Sequence, residues 1–349
     1  MNFALSEEQE LLREAARGAL GRVATVEAAR EALDGGELPD LWPRAVEAGW
    51  PGLLVPEERG GAGLGAMEAM LVFSELGRVL ASVPLLGHLP ATLLYADESL
   101  ATGERRAAFV AAAPPDWTTD PREGLRRAAA PVLEDGALRG EVAWVPDAPG
   151  ADVLVVVCAG GRVAVTEGGA VEPVRRYDAT RSLGHVRFDG TPATAVEGAD
   201  AAAAWHVAQA LVAAESLGAV EVALETSVAY AKERFTFGRA IGSYQAVKHE
   251  LVEILRRLEN ARSLMFYAGW AGQDRPAELA LAAAAFRTAA GAALDHATRA
   301  QISVHGGIGA TWEHDAPLYF RRAQLSRRLL GGTAGASARV ADELFAAAA

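Results

Sequence analysis

Val142-Ala143-Trp144-Val145 and Val153-Leu154-Val155-Val156-Val157 are short, nearly unbroken apolar runs separated by Pro146, Gly150 and Asp152. Roughly four to eight apolar residues bounded by turn formers read as a buried strand, being too short for a core helix. Such runs recur between Ala129 and Val196, so the middle of the chain is β. Upstream the periodicity is helical. Leu5, Leu11, Leu12, Ala15, Ala16 and Leu20 share one broad face between Leu5 and Val23, and Ser6 with Gln9 forms a capping box at the start. Trp50 to Gly65 is punctuated by glycine, Ala66 to Leu80 is helical again, and helices and loops are expected up to Ala113. Downstream, Val212, Leu217, Val220, Leu224 and Val228 make one apolar stripe, and Val247, Leu251, Leu255, Leu258 and Met265 make another. Ala277 to Ala300 is small and apolar around most of its circumference, as in a helix buried among helices. Ala316 to Phe345 is helical with a break at Gly331-Gly332. Helices, then sheet, then helices, without alternating βα units, is an α+β order, not a Rossmann or TIM-barrel one. The expected domains are residues 1–113 (helical), 114–200 (β) and 201–349 (helical).

The 349 residues exceed the ~100 to 200 of a single domain, and a chain 51% hydrophobic has ample material for a core. Lys plus Arg number 33 against 45 Asp plus Glu, a net charge of −12, and no basic run interrupts the acidic balance; nucleic acid is disfavoured as a partner. Cys158 is the one cysteine, so no intrachain disulfide forms, and a buried, inert thiol in a reducing compartment is expected. The acidic N-terminus lacks the basic and apolar regions of a signal peptide, and no apolar run reaches ~18 residues. These features imply a cytoplasmic protein with no membrane partner.

Two stretches go beyond architecture. Glu233-Arg234-Phe235-Thr236-Phe237-Gly238-Arg239 runs on to Tyr244-Gln245 between two long helices, and His305-Gly306-Gly307-Ile308-Gly309-Ala310-Thr311-Trp312-Glu313-His314-Asp315 follows a third. Arg234 offers fork-shaped donors to a phosphate, Thr236 a hydroxyl and Phe237 a face for a base. Gly306, Gly307 and Gly309 let backbone amides approach an anion. The plainer reading is that the glycines only turn the chain and Arg234 pairs with a surface acid. Taken singly, each stretch favours that plainer reading.

Together, in this order and after a β segment, they resemble the acyl-CoA dehydrogenase family, over nearly the whole chain. Phe3-Ala4-Leu5-Ser6-Glu7-Glu8-Gln9, Trp42, Gly49, Val55-Pro56-Glu57 and Gly60-Gly61-Ala62-Gly63 are similar to its N-terminal helical domain, and Asp178-Ala179-Thr180-Arg181 to its β-domain. The resemblance implies an N-terminal helical domain, a central β-barrel-like domain and a C-terminal four-helix bundle. It also implies FAD, an acyl-CoA substrate oxidised to its 2,3-enoyl thioester, and an electron-transfer flavoprotein as acceptor. A C–H beside a thioester is weakly acidic, so such a reaction needs a desolvated carboxylate base and hydrogen bonds to the thioester oxygen. Family members share each FAD across a subunit interface, with the flavin on one chain's β-domain and the pyrophosphate and adenosine on the neighbour's bundle.

By that resemblance Arg234, Thr236, Phe237, Gln245, Gly306, Gly307 and Gly309 occupy the cofactor positions of the bundle side, and Thr333 matches the threonine of the family's Glu-Gly-Thr turn. Ser303 stands where a glutamine is common. The base position is Gly331, and the alternative position on the preceding long helix is Ala208, so no catalytic residue is assigned. Glu215 lies two turns on, about 10 Å further along, and is read as structural. On the β side the family's Thr-Glu-Pro-x-x-Gly-Ser-Asp segment has no counterpart in Pro114-Pro115-Asp116-Trp117-Thr118-Thr119-Asp120-Pro121, and Pro146 replaces the flavin-binding threonine after Trp144, which is read as core.

One usable half-site, one lost half-site and no base resemble the shorter subunits of actinobacterial α2β2 acyl-CoA dehydrogenases, which act on CoA thioesters of sterol side chains. A second, base-carrying subunit is the implied partner. Two other readings stand: a homomeric enzyme using a base such as Glu215, and a non-enzymatic acyl-CoA-binding or scaffold protein. His305 and His314 flank the glycine turn without metal-ligand spacing, so no metal is expected and packing or a phosphate contact fits better. Arg321-Arg322 reads as a solvated face at least as readily as a phosphate contact.

Overall fold

The computed structural model describes residues 3–112, 129–174 and 177–348; Pro114 to Pro121 lie outside them. Six helices open the chain: α1 (Glu7–Leu20), α2 (Thr25–Glu31), α3 (Trp42–Glu47), α4 (Ala66–Arg78), α5 (Leu85–Leu94) and α6 (Glu98–Ala101). The capping box at α1 is formed on both sides, Gln9 N–H donating to Ser6 Oγ at 3.2 Å and Ser6 N–H to Gln9 Oε1 at 3.0 Å. Its buried face is narrower than the sequence suggests: Ala16 and Leu20 are buried, whereas Leu11 and Ala15 are exposed.

Strands β1 (Ala107–Val110), β4 (Val153–Val157), β5 (Val163–Thr166) and β8 (Thr194–Val196) form one sheet in the order β1-β4-β5-β8. Strands β2 (Val132–Glu134), β3 (Ala137–Pro146), β6 (Ala170–Pro173) and β7 (Leu183–Pro192) form a second, in the order β2-β3-β7-β6. The expectation of only helices and loops before Ala113 is corrected at β1, which pairs in parallel with β4, Ala107 opposite Val153. Both strands are buried along their full length, so neither shows the alternation that marks a half-exposed strand. Inner faces of the two sheets meet through Ala108, Val110, Leu138, Val142, Leu154, Val156, Val186 and Phe188. Cys158 is buried at this seam, and burial pushes its thiol up to about 11, so it is inert at neutral pH.

Three long helices, α7 (Ala201–Glu233), α8 (Gln245–Asp274) and α9 (Leu279–His305), then α10 (Ala316–Ser326) and α11 (Gly332–Ala348), complete the chain, with a short hairpin of β9 (Phe235–Thr236) and β10 (Arg239–Ala240) between α7 and α8. α9 packs against α7, α8, α10 and α11. Although α7 and α9 are long and apolar enough to span a membrane, the apolar window of α7 is 83% buried inside the fold. The buried seam of α8 is Ile254, Leu258, Ala261, Met265 and Ala268; Leu255, placed on the stripe by sequence, is 44% exposed. α4 crosses α7 at backbone contact. A Cβ on Gly218 would fall 1.8 Å from Ser74 O, and one on Gly77 1.9 Å from Glu215 O, so only glycine fits at either place.

Candidate functional site

α7 ends where Arg234 leaves helical geometry, its N–H still donating to Tyr230 O at 2.8 Å. The hairpin that follows turns at Phe237 and Gly238, with φ of +48° and +77°. Two successive left-handed residues are the hallmark of a tight hairpin turn, and the turn leaves Phe237 95% exposed. Ile241 N–H donates to Arg234 O at 2.8 Å and closes the loop, while the Arg239 guanidinium stacks 4.0 Å from the Tyr244 ring. Arg234 and Thr236 are exposed, and Arg234 makes no ion pair among the described residues, contrary to the plainer reading of it. Gln245 opens α8, its side-chain amide donating to His249 Nε2 at 2.7 Å.

The glycine turn lies at the far end of α9. Gly306, at φ +65°, ends the helix, its N–H donating back to Ile302 O and Ser303 O, and a Cβ at Gly306 or Gly307 would meet nothing within 4 Å, so the backbone of the turn lies open to approach. Gly309 instead folds under, where a Cβ would fall 2.8 Å from His305 Cβ. The Tyr230 and His305 rings are 4.4 Å apart, which brings the end of α7 and the end of α9 together. Arg234, Phe237, Gln245, Gly306 and Gly307 thus share one open end of the bundle, with Trp312 62% exposed beside them.

Thr333 is elsewhere. Its methyl packs on Gly291 of α9, which precedes Gly306 by about 22 Å of helix at ~1.5 Å per residue. There it lines a cavity of about 500 Å³ with Arg257, Asp295, His296 and Arg327. Gly331 sits at φ +81° beside Leu330 at φ +50°. This turn is held from behind: Gln209 donates to Leu330 O, and Arg287, fully buried, donates to Ser326 O and Leu329 O. Burial pushes the Arg287 guanidinium down to about 10. No carboxylate stands at Gly331 or at the buried Ala208.

Glu215 is locked in a buried network. It accepts from Arg181 through Oε2 and from Arg322 Nη1 through Oε1 at 2.6 Å, while Arg322 Nε reaches Asp178 Oδ2 at 2.6 Å and its Nη2 donates to Thr180. Arg322 is 1% exposed, which corrects its reading as a solvated face. Burial alone would raise the Asp178 carboxyl, but Arg322 and Thr180 outweigh it and hold it below the usual carboxylate range. The sequence signal was Asp178-Ala179-Thr180-Arg181, read there only as part of a likeness.

Trp144 is 52% exposed, at φ +59° in the irregularity between Val142 and Val145 of β3, and its ring stands edge-on to His185 at 4.9 Å. It is not a core residue, as the sequence suggested. Pro146 follows without an N–H, and Asp147, at φ +57°, turns its buried carboxylate to the N–H of Gly87 at 2.8 Å.

Comparison with known proteins gives this geometry a lineage. Residues 6–110 match the N-terminal domain model of acyl-CoA dehydrogenases, and residues 199–344 match the C-terminal domain model. The chain is 34% identical over 347 residues to the acyl-CoA dehydrogenase IpdE2 of Mycolicibacterium smegmatis, covering 98% of this chain and 100% of that protein. It belongs to the acyl-CoA dehydrogenase family. IpdE2 of Mycobacterium tuberculosis is 35% identical, over 97% of this chain and 98% of its own length. Among solved structures, a chain of the ChsE4-ChsE5 complex of Mycobacterium tuberculosis superposes with a TM-score of 0.85 at 26% identity, covering 99% of both chains. A chain of the Tcur3481-Tcur3483 steroid ACAD G363A variant gives 0.86 at 28% identity, over 98% and 99%. This acyl-CoA dehydrogenase is therefore an oxidoreductase of the CH–CH class with the family's FAD dependence.

Tested against FAD, the two sides of the chain differ. An open Gly306-Gly307 backbone, an arginine without an ion pair among the described residues and an exposed phenylalanine fit a pyrophosphate and a base. Pro146, with neither a hydroxyl nor a backbone N–H, offers no donor to a flavin.

Proposed function

We propose that this chain is one subunit of a heteromeric FAD-dependent acyl-CoA dehydrogenase, in which it gives the pyrophosphate and adenosine half-site to a base-carrying partner. The observation that carries this reading is the asymmetry between its two ends: the open set Arg234, Thr236, Phe237, Gln245, Gly306 and Gly307, with Gly309 folded beneath the turn, against Gly331, Ala208 and Pro146. When bound, FAD supplies the hydride acceptor. This chain's residues bind and orient it: Arg234 holds the diphosphate charge against the open backbone of the Gly306-Gly307 turn, and Phe237 covers the base. The partner brings the carboxylate that removes the proton beside the thioester carbonyl. Thr333 belongs to the chain's own reduced flavin side.

The likeness to chains of two complexes with two-part names, one of them called a steroid ACAD, supports the partner and a bulky sterol-type acyl-CoA. An electron-transfer flavoprotein is the proposed acceptor. Glu215 is set aside as a base because both its oxygens are held by arginines.

The deciding experiment is flavin content and mass of the chain purified alone and co-expressed with a partner carrying a catalytic glutamate. Little flavin alone and about one FAD per pair of unlike chains is expected. A full FAD per chain, with turnover, in the isolated protein would overturn the reading.

A further inference from the structure

The cavity beside Thr333 gathers arginines from three directions: Arg257 from α8, Arg299 from α9 and Arg327 from the link between α10 and α11. Its volume of about 500 Å³ falls within the roughly 300 to 1,000 Å³ of small-ligand pockets. Asp295 is the acid in its lining. Asp295 Oδ1 stands 3.2 Å from Arg299 Nη2 and 3.4 Å from Arg327 Nη1, so these two guanidinium groups already converge on one anionic oxygen. Arg327 Nε and Nη2 have no hydrogen-bond partner among the described residues. Arg257 gives its Nε to Glu253 Oε1 at 2.7 Å, and its two terminal nitrogens are likewise without a partner among those residues. Glu250 is engaged by His296, Nε2 to Oε1 at 3.2 Å. Behind the wall lies a further cation with no acid bonded to it. Arg287, fully buried, donates through Nη2 to Ser326 O and Leu329 O, while its Nε and Nη1 have no partner. Nη1 lies 3.8 Å from where a Cβ on Gly291 would stand, and Gly291 is part of the cavity wall. A buried guanidinium without a paired carboxylate favours negative charge nearby.

We propose that this cavity is an anion site separate from the dinucleotide half-site, and that it takes a diphosphate, free or carried on a nucleoside. The forked donors of Arg257 and Arg327 match phosphate oxygens two at a time, and the charge of a diphosphate exceeds that of the one opposing Asp295. α11 starts at Gly332 and runs for 17 residues, so the positive end of its dipole meets the cavity at Thr333 and Ala334. The Thr333 N–H already donates to Arg327 O at 3.1 Å, which leaves the arginines as the direct donors. About 22 Å of α9 separates Gly291 from Gly306, at ~1.5 Å per residue, so a ligand here does not touch the glycine turn. It would instead tie α8 and α9 to the segment from Arg327 to Thr333, which carries Gly331 at φ +81°. The site is thus placed to brace that turn from the side opposite Gln209 and Arg287.

Calorimetry on the isolated full-length chain with pyrophosphate, ADP, adenosine and sulfate, at constant ionic strength, tests the site. Melting temperature is the second readout, since a ligand of the folded state alone raises it. Pyrophosphate and ADP should bind and adenosine should not, and added salt should weaken both. Equal affinities assign the site to the free diphosphate, and tighter ADP assigns it to a nucleotide. Arg257→Gln and Arg327→Gln alter side chains that are 34% and 41% exposed, so without ligand both should melt like the wild type. Each should weaken diphosphate binding by roughly ten- to 150-fold, whereas Arg234→Gln should leave it unchanged. Binding lost in Arg234→Gln and kept in Arg327→Gln would put the anion at the half-site and overturn the proposal. Sulfate as tight as pyrophosphate would mean an adventitious ion only and overturn it too, as would no binding of either diphosphate. Flavin stoichiometry of the complex, which tests the heteromeric reading, is untouched by any of these outcomes.

Discussion

Arg322 and Glu215 form a buried ion pair, Nη1 to Oε1 at 2.6 Å, that ties α10 to the middle of α7. Through its Nε the same guanidinium holds Asp178, just ahead of β7, so the bundle and the sheets are joined at one point. Such a pair adds little or no stability over a well-packed apolar replacement, but breaking it leaves a charge buried and unpaired. Glu215→Ala should therefore lower stability by about 3 to 5 kcal/mol, seen as a large fall in melting temperature. Lost turnover in a Glu215→Gln complex that melts like the wild type would instead make Glu215 the base.

Restoring a carboxylate to the turn should not restore an enzyme. Gly331 is at φ +81°, a backbone region that costs a side-chain-bearing residue about 1 to 2 kcal/mol. Gly331→Glu should melt lower and show no dehydrogenase activity without the partner, because Pro146 still stands at the flavin-side position. Acyl-CoA oxidation by the isolated variant would show that the flavin side is intact.

What the sequence made legible was local or periodic. Ser6 and Gln9 cap α1 because a capping box needs only neighbours in sequence, and Val153 to Val157 announce a strand because both faces are buried. The α8 stripe failed at one position: the true seam of Ile254, Leu258, Ala261, Met265 and Ala268 alternates steps of four and three, and Leu255 is one residue off it, facing a cavity beside Phe3 and Leu5. Trp144 was misread because a large aromatic in an apolar run signals core unless the backbone bulges, and that bulge has no residue signature. Arg322 looked solvated because its partners, Asp178, Thr180 and Glu215, are more than a hundred residues away. The open end of the bundle was readable because Arg234, Phe237 and the glycines lie in two continuous stretches; Thr333, alone on another helix, is not brought to them.

Phe237 tests the half-site without disturbing the fold. Its side chain is almost wholly exposed at a hairpin tip, so truncation removes little packing within this chain. Stacking of a base on an aromatic ring is worth about 1 to 3 kcal/mol. Phe237→Ala should leave the melting temperature of the isolated chain unchanged and weaken FAD binding by the complex by roughly five- to 150-fold. Unchanged FAD affinity would remove Phe237 from the half-site.

Asp147 gives the fold a pH dependence of definite sign. Its carboxylate is buried; burial raises it from 3.8 to about 6, with the Gly87 N–H and the nearby Arg181 opposing that rise. A carboxyl whose folded value lies above its unfolded one binds its proton more tightly in the native state. Its contribution is then fully present below pH 3.8 and lost as pH rises through about 6. A gap of about two pH units corresponds to roughly 3 kcal/mol. Other groups run the opposite way over acid pH, Asp178 among them, since a depressed carboxyl loses its contribution as pH falls. The Asp147 component is therefore isolated by difference. Asp147→Asn keeps an acceptor for the Gly87 N–H and removes the charge, so relative to wild type it should gain stability between pH 4 and 7 and level off above. Denaturant midpoints of both proteins across that range measure the gain; a constant difference would mean that Asp147 does not titrate there.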